Sequence, residues 1–202
     1  MLRFGNRLLN RAKYQKVMPQ AEGRVYKYYA DLVWRLKKGD GLAWEHFVAE
    51  WGARLYSYLR YSTQHEEDAQ HVLSDIMLVI VREMPNFDGS ITLATFVFSL
   101  AYRRVIDYWR KSGQPNGSLR ITNSIKRVAA TSSAVGDDET ALYNLWPQLE
   151  EQAQQVLLLR YHAGLDINEI ADVVGRSHEA IEFLLSQLHR QFQNEFFGSV
   201  GA

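Results

Sequence analysis

Residues 65–89 read HEEDAQHVLSDIMLVIVREMPNFDG, and most of the fold follows from them. Ala69, Val72, Leu73, Ile76 and Ile80 fall at i, i+3, i+4, i+7 and i+11, which is one apolar stripe of a helix. The opposite side carries Gln70, His71, Ser74, Asp75 and Arg82. Glu66, Glu67 and Asp68 open the run, where the helix dipole favours anions. Pro85-Asn86-Phe87-Asp88-Gly89-Ser90 closes it with the composition of a turn.

Working outward, the spacing predicts helices over 42–50 and 54–61, punctuated by Gly39-Asp40-Gly41 and Gly52. A further helix is predicted from about Thr92 to Lys111, with Leu93, Phe96, Val97, Leu100 and Ala101 on its apolar side. Fourteen of the 29 residues from 112 to 140 are Gly, Pro, Ser, Thr or Asn, so this stretch reads as a linker, with a short helix near Ile121–Val128. Residues 141–197 are helical again. Residues 152–160 form one helix. Asp166 with Glu169 reads as a capping box, Val174-Gly175 as a helix end, and Ser177 as the N-cap of a last helix. That last helix carries Ile181, Leu184, Leu185, Leu188 and Phe192 on one stripe. Two helices joined by a tight turn containing Gly make a helix-turn-helix pattern. The fold class is therefore all-α, two small helical domains on a flexible linker.

Composition narrows the function. The chain has 202 residues, 47% apolar, with four Pro and no Cys, which excludes a mostly disordered chain, a disulfide scaffold and a thiolate metal site. No run approaches the roughly 18 apolar residues of a membrane span. Charges interrupt every short apolar stretch near the N-terminus, so no signal-peptide core is expected. The net charge of zero is unevenly spread: about +8 over residues 1–39, −3 over 40–112, 0 over 113–140 and −5 over 141–202. His65, Glu66, Asp68, His71 and Asp75 include i+3 and i+4 pairs that could chelate a metal. No second helix supplies a matching motif, so neither metal nor other cofactor is expected. No glycine-rich phosphate loop or nucleophile elbow is present, and the chain is not expected to be an enzyme.

Two blocks resemble the sigma-70 family of RNA polymerase sigma factors, specifically its extracytoplasmic-function group. The first runs from LVWRLKKGDGLAW through the stretch quoted above to TFVFSLAYRRVIDYWRK and is similar to sigma domain 2. The second, LWPQLEEQAQQVLLLRYHAGLDINEIADVVGRSHEAIEFLLSQLHRQF, is similar to domain 4. The resemblance covers roughly residues 32–192 and implies a basic extension (1–30), domain 2 (31–112), a linker (113–140) and domain 4 (141–197). It implies a cytoplasmic protein that binds core RNA polymerase, melts the promoter −10 element with domain 2 and reads the −35 element with domain 4. It also implies an anti-sigma protein as a partner.

Aromatic residues that catch unpaired bases, interleaved with cations that hold the backbone, suit strand melting. For the −10 region these are Phe87, Tyr102, Arg103, Arg104, Tyr108, Trp109, Arg110 and Lys111, and the resemblance adds Asn86 and Asp88 from the loop that follows the central helix. Phe87, Tyr108 and Trp109 can instead pack the bundle. By the resemblance, the helix-turn-helix would meet the −35 region with Arg176, Ser177, His178, Glu179, Glu182, Phe183 and Arg190. Polymerase contact falls to Gln70, His71, Ser74, Asp75 and Leu78 on the outer face of the central helix.

Departures from the family pattern are concentrated in domain 4. Where the family typically has Thr-Val-Lys-Ser-Arg-Leu, this chain has Ala180-Ile181-Glu182-Phe183-Leu184-Leu185. In domain 2, Ala101-Tyr102-Arg103 stands where the family commonly has Ala-Arg-Asn. Phosphate neutralisation dominates DNA affinity, so a C-terminal segment at −5 predicts weak DNA binding on its own. This leaves an alternative reading, a sigma-like adaptor whose acidic C-terminal domain binds protein, with Phe183 as an anchor. Arg3, Arg7, Arg11, Lys13 and Lys16 could touch DNA, polymerase or a membrane surface.

Overall fold

The computed structural model describes residues 23–63, 65–112 and 146–200. The basic extension up to residue 22 and the expected linker over 113–140, with its short helix, lie outside them. Among the described residues there are seven α-helices and no strands: α1 Gly23–Lys37, α2 Gly41–Ser62, α3 Glu66–Glu83, α4 Leu93–Ser112, α5 Glu151–Tyr161, α6 Ile167–Val174 and α7 His178–Val200. Single 3₁₀ turns sit at Met84–Asn86 and Trp146–Gln148.

Helix α1 begins inside the segment read from sequence as an extension and continues through it. Its Leu32, Val33 and Leu36 are buried, which anchors it to the first helical group. Gly39, in the left-handed region at φ 72°, turns the chain. Asp40 then caps α2 by accepting the Ala43 N–H at 3.3 Å, and it also receives Arg35 Nε at 2.8 Å. The Arg35 guanidinium, followed by the Ala43 N–H, holds the Asp40 carboxyl below its usual range.

The two helices expected over 42–50 and 54–61 are one. Gly52 does not interrupt α2 because burial along its length outweighs the roughly 1 kcal/mol propensity cost of a mid-helix glycine. Phe47, Trp51, Leu55, Tyr58 and Leu59 from α2 pack against Ala69, Val72, Ile76 and Ile80 from α3. Val97, Phe98, Ala101, Val105 and Trp109 from α4 complete this first core. The apolar stripe of α3 is buried as its spacing predicts, apart from Leu73, which is only partly covered. The stripe of α4 is rotated from expectation. Phe98, fully buried against Tyr58 and Trp51, takes the central place, and Phe96 is only partly covered.

The second helical group is built around α5. Residues 153–159 are buried without a break, including Gln154 and Gln155. A helix buried all round lies between layers rather than on a surface. Here α5 lies between α2 on one side and α6 and α7 on the other. Arg54 of α2 donates from Nη2 and Nε to the Ala163 carbonyl at 2.7 and 3.2 Å. Tyr58 donates its hydroxyl to Gln155 Oε1. Thr92, just before α4, donates to Glu169 Oε1 at 2.8 Å. The two groups therefore share one hydrophobic core.

Candidate polymerase and nucleic-acid interface

The outer face of α3 is open. Gln70, His71, Ser74 and Asp75 are exposed, and Leu78 is 71% exposed. Asp75 accepts from Arg104 Nη2 at 2.7 Å, which ties this face to α4. Exposed Val48 and Val81 extend the apolar part of the face beyond the sequence expectation. A Cβ placed on Gly52 would meet the Met77 methyl at 3.8 Å, so α2 and α3 cross in close contact there. Val48 lies one turn before Gly52, and Val81 one turn after Met77. The result is an exposed aliphatic strip set beside polar groups, the composition of a protein-contact patch.

The expected −10 residues separate into two sets. Asn86, Asp88, Arg103, Arg110 and Lys111 are exposed. Phe87 and Trp109 are not. Phe87 is 5% exposed and lies against Phe96 with ring centroids 4.7 Å apart, while Lys37 donates to its carbonyl at 2.8 Å. Trp109 is 6% exposed, and its indole N–H reaches the Ser62 carbonyl at 2.8 Å. The expectation that these two rings present faces to bases is corrected: both are core residues here. The periodicity of α4 explains it, since Trp109 continues the buried series Val97-Ala101-Val105 at four-residue steps. Tyr108 is half-buried and donates to Asp68 at 2.7 Å. Arg104 and Arg110 are paired with Asp75 and Asp107. Tyr102 is half-buried; its phenol is pushed up by that burial, with Arg176 and Glu151 of the second group within electrostatic reach.

The helix-turn-helix forms as the caps predict. Asp166 Oδ1 accepts the Glu169 N–H at 2.9 Å, and Glu169 Oε2 accepts the Asp166 N–H at 3.1 Å. Gly175 ends α6 at φ 68°. Ser177 Oγ accepts the Ala180 N–H at 3.2 Å and starts α7. Arg176, Ser177, His178, Glu179, Glu182, Phe183 and Arg190 are all exposed, with Phe183 at 59%. His178 bonds to Asn168 at 2.8 Å and lies 3.9 Å from Glu182. The N–H at the helix start and the Ser177 hydroxyl hold the Glu179 carboxyl below its usual range, so it stays anionic at neutral pH. The presenting face of α7 therefore carries two carboxylates and an aromatic ring between arginines at either end.

Among the described residues no group of three or more His, Asp or Glu gathers as metal ligands. Tyr108 and Arg104 engage the Asp68 and Asp75 carboxylates instead. No helix among them is long and apolar enough to cross a membrane.

Residues 47–114 match the model for sigma-70 region 2. These residues run from the middle of α2 to the end of α4. This stretch of the chain carries a sigma-70 region 2 domain. The chain is 23% identical over 159 residues to the ECF RNA polymerase sigma factor BldN of Streptomyces coelicolor, covering 76% of this chain and 60% of that one. It is also 23% identical over 155 residues to the RNA polymerase sigma factor YlaC of Bacillus subtilis, covering 72% and 86%. The first of these relatives carries the extracytoplasmic-function designation in its name, and this chain spans 60% of its length. Among solved structures, CnrH in complex with the cytosolic domain of CnrY aligns with a TM-score of 0.60 at 18% identity, covering 80% of this chain and 92% of that one. The sigma factor RpoE bound to the anti-sigma factor NepR from Bartonella quintana aligns at 0.54 and 13% identity, covering 75% and 95%. The all-α, two-group fold of this chain is thus shared with these two solved structures.

The sequence reading missed the residues that join the two halves: Arg54, Tyr58, Tyr61, Gln155 and His162. One signal was available. Arg54 is a cation three residues from Trp51, inside the aromatic-rich run from Trp51 to Tyr61.

Proposed function

We propose that this chain binds core RNA polymerase and directs promoter-specific initiation of transcription. The observation that carries the reading is a coincidence of place. The region 2 match falls on the three helices that display the exposed α3 face, and a capped helix-turn-helix with an open presenting face follows. The α3 face, with Gln70, His71, Ser74, Asp75 and Leu78 joined by Val48 and Val81, is the polymerase contact. The exposed Arg103, Arg110 and Lys111 hold the −10 strand, with Asn86 and Asp88 beside them. Helix α7 meets the −35 element with Arg176 and Arg190 on phosphates. The role is regulatory, exercised in the compartment where polymerase works, and an anti-sigma protein holds the chain in check.

Co-elution of the purified chain with core polymerase, before DNA is added, tests the first step. Run-off transcription then tests the second. Arg103→Ala should leave co-elution unchanged and slow promoter opening. Absence of co-elution by a folded chain would overturn the reading.

The carboxylates and exposed Phe183 on α7 support a second reading, in which this helix docks on protein rather than duplex. Sequence-specific duplex binding that is lost in Phe183→Ser and Arg176→Ala would exclude it.

A further inference from the structure

Helix α7 turns a defined side outward. Ile181 and Leu188 are buried, and Leu184, Leu185 and Phe192 lie partly covered on the same side. At about 100° per residue, the direction opposite to them falls on Glu179, Phe183, Ser186 and Arg190, with Glu182 and Gln187 on its flanks. All six are exposed. The first turns of the second helix are the part of a helix-turn-helix that reaches base edges in a major groove. Glu182 and Phe183 sit there, bracketed by Arg176 and Arg190. Those arginines stand roughly 20 Å apart at 1.5 Å of rise per residue. Each can therefore reach a phosphate on its own side of a groove about 12 Å wide.

The fold accounts for the other charged groups of this face. Glu179 lies in the first turn, where the helix dipole favours an anion, and Ser177 bonds to it. Arg176 donates to Gln152 at 3.3 Å, and Arg190 donates to the Ser186 carbonyl at 3.3 Å. Glu182 has no such role. It stands one turn further in, and among the described residues it pairs with no Lys or Arg. It lies 3.9 Å from the His178 ring, which Asn168 holds by a 2.8 Å hydrogen bond. A carboxylate there weakens the general attraction to phosphate. An anion that lowers affinity for every duplex can still raise the contrast between duplexes, because it rejects wrong bases by repulsion.

Base chemistry then names the target. In the major groove guanine offers only acceptors, and thymine offers an acceptor and a methyl group, so a carboxylate is repelled by both. Adenine offers its N6 amino group, but the N7 acceptor beside it would face the second carboxylate oxygen. Cytosine offers its N4 amino group with only a C–H beside it. Cytosine is therefore the base that a carboxylate selects. Phe183, one residue on and 59% exposed, lies about 1.5 Å further along the helix, well under the roughly 3.4 Å between base pairs. The thymine methyl is the apolar group in the groove that suits such a ring.

We infer that Glu182 is a specificity-determining residue of the −35 contact: it accepts from the N4 amino group of a cytosine, and Phe183 packs on the methyl of a thymine within about two base pairs. This deepens the function proposed above and rests on it for the presence of duplex at α7.

The test is a selection by the full-length chain with core polymerase, from a duplex pool randomised upstream of the transcription start, with the retained duplexes sequenced. The unmodified chain should retain cytosine over adenine about tenfold at one position, the size of one good base contact. A thymine preference should stand close beside it. Glu182→Gln keeps the side-chain length and removes the charge, and glutamine pairs with adenine N6 and N7. It should move that position from cytosine to adenine and leave the rest of the retained sequence alone. Phe183→Ser should relax the thymine position only. Both side chains are exposed, and circular dichroism checks that both variants fold. A merely structural role would change overall affinity without changing which base is retained. No retained cytosine, or a cytosine preference unchanged in Glu182→Gln, would overturn the inference while co-elution with polymerase still upholds the function. A folded chain that does not bind polymerase, yet alone retains a cytosine that Glu182→Gln exchanges for adenine, would uphold the readout and overturn the sigma-factor reading. Retention of no particular sequence in either format would overturn the readout in favour of protein docking by α7.

Discussion

The two halves of this molecule spend their buried surface differently. In the first, α1 to α4 gather most of their apolar side chains around one centre, and the aromatic residues Phe47, Trp51, Tyr58, Phe98 and Trp109 are almost wholly inside. In the second, α6 is short and α7 keeps much of its surface in solvent, while α5 is enclosed on every side only because α2 lies against it. The first half contains its own core. The second borrows part of its core from the first, and it would expose that part whenever the halves separate.

The severest break in this comparison is Trp109→Ala. It removes a buried indole together with its bond to Ser62 and should cost about 3–5 kcal/mol, read as a lower urea midpoint. The loss should fall on the first half and leave the capping of α6 intact. Gly175→Ala is the counterpart in the second half. Its φ of 68° strains any L side chain, although a Cβ there would meet nothing within 4 Å. A cost of about 1–2 kcal/mol is expected, confined to α6 and α7 and visible by amide exchange. Glu182→Lys sharpens the electrostatic contrast. It should raise duplex affinity severalfold at low salt and steepen the salt dependence by about one counterion, measured by fluorescence anisotropy. An unchanged slope would mean that α7 does not face phosphate.

The smallest expected effect concerns pH. His162 is half-buried at the seam between the two halves, and burial lowers its pKa from an ordinary 6.5. Ser57 and Tyr61 from α2 and His189 from α7 face it or share its cavity, and Arg54 is bonded to the adjacent Ala163 carbonyl. A depressed folded value means that the folded form takes the neutral ring. Stability from the seam is therefore full above about pH 7 and falls as pH drops through 6.5 toward the lowered value. Melting at pH 5.5 and 7.5 should differ, and His162→Gln should flatten the difference.

Much of this was legible in the sequence because helices announce themselves locally. The stripe of α3, the Asp166–Glu169 box and the Gly175 stop are patterns within eleven residues, and the structure follows them. Long-range pairing leaves no such mark. Trp109 looked like a base-stacking ring because cations flank it, whereas its partner is the Ser62 carbonyl, 47 residues earlier. The α2 helix absorbed Gly52 because the neighbours that hold it lie on α3. The continuous burial of α5 carries no amphipathic signal, since a helix covered on every side has no wet face to reveal its register.

Glu169 closes the capping box with one carboxylate oxygen and receives Thr92 with the other. The start of one helix and the docking of two halves thus depend on the same side chain. Glutamine could still accept both hydrogen bonds but without the charge. Aspartate is a methylene too short to span both. A position that local helix chemistry alone would leave open to exchange is here constrained twice, so genetic variation at residue 169 should be as restricted as at a buried aromatic, although its backbone lies near the surface.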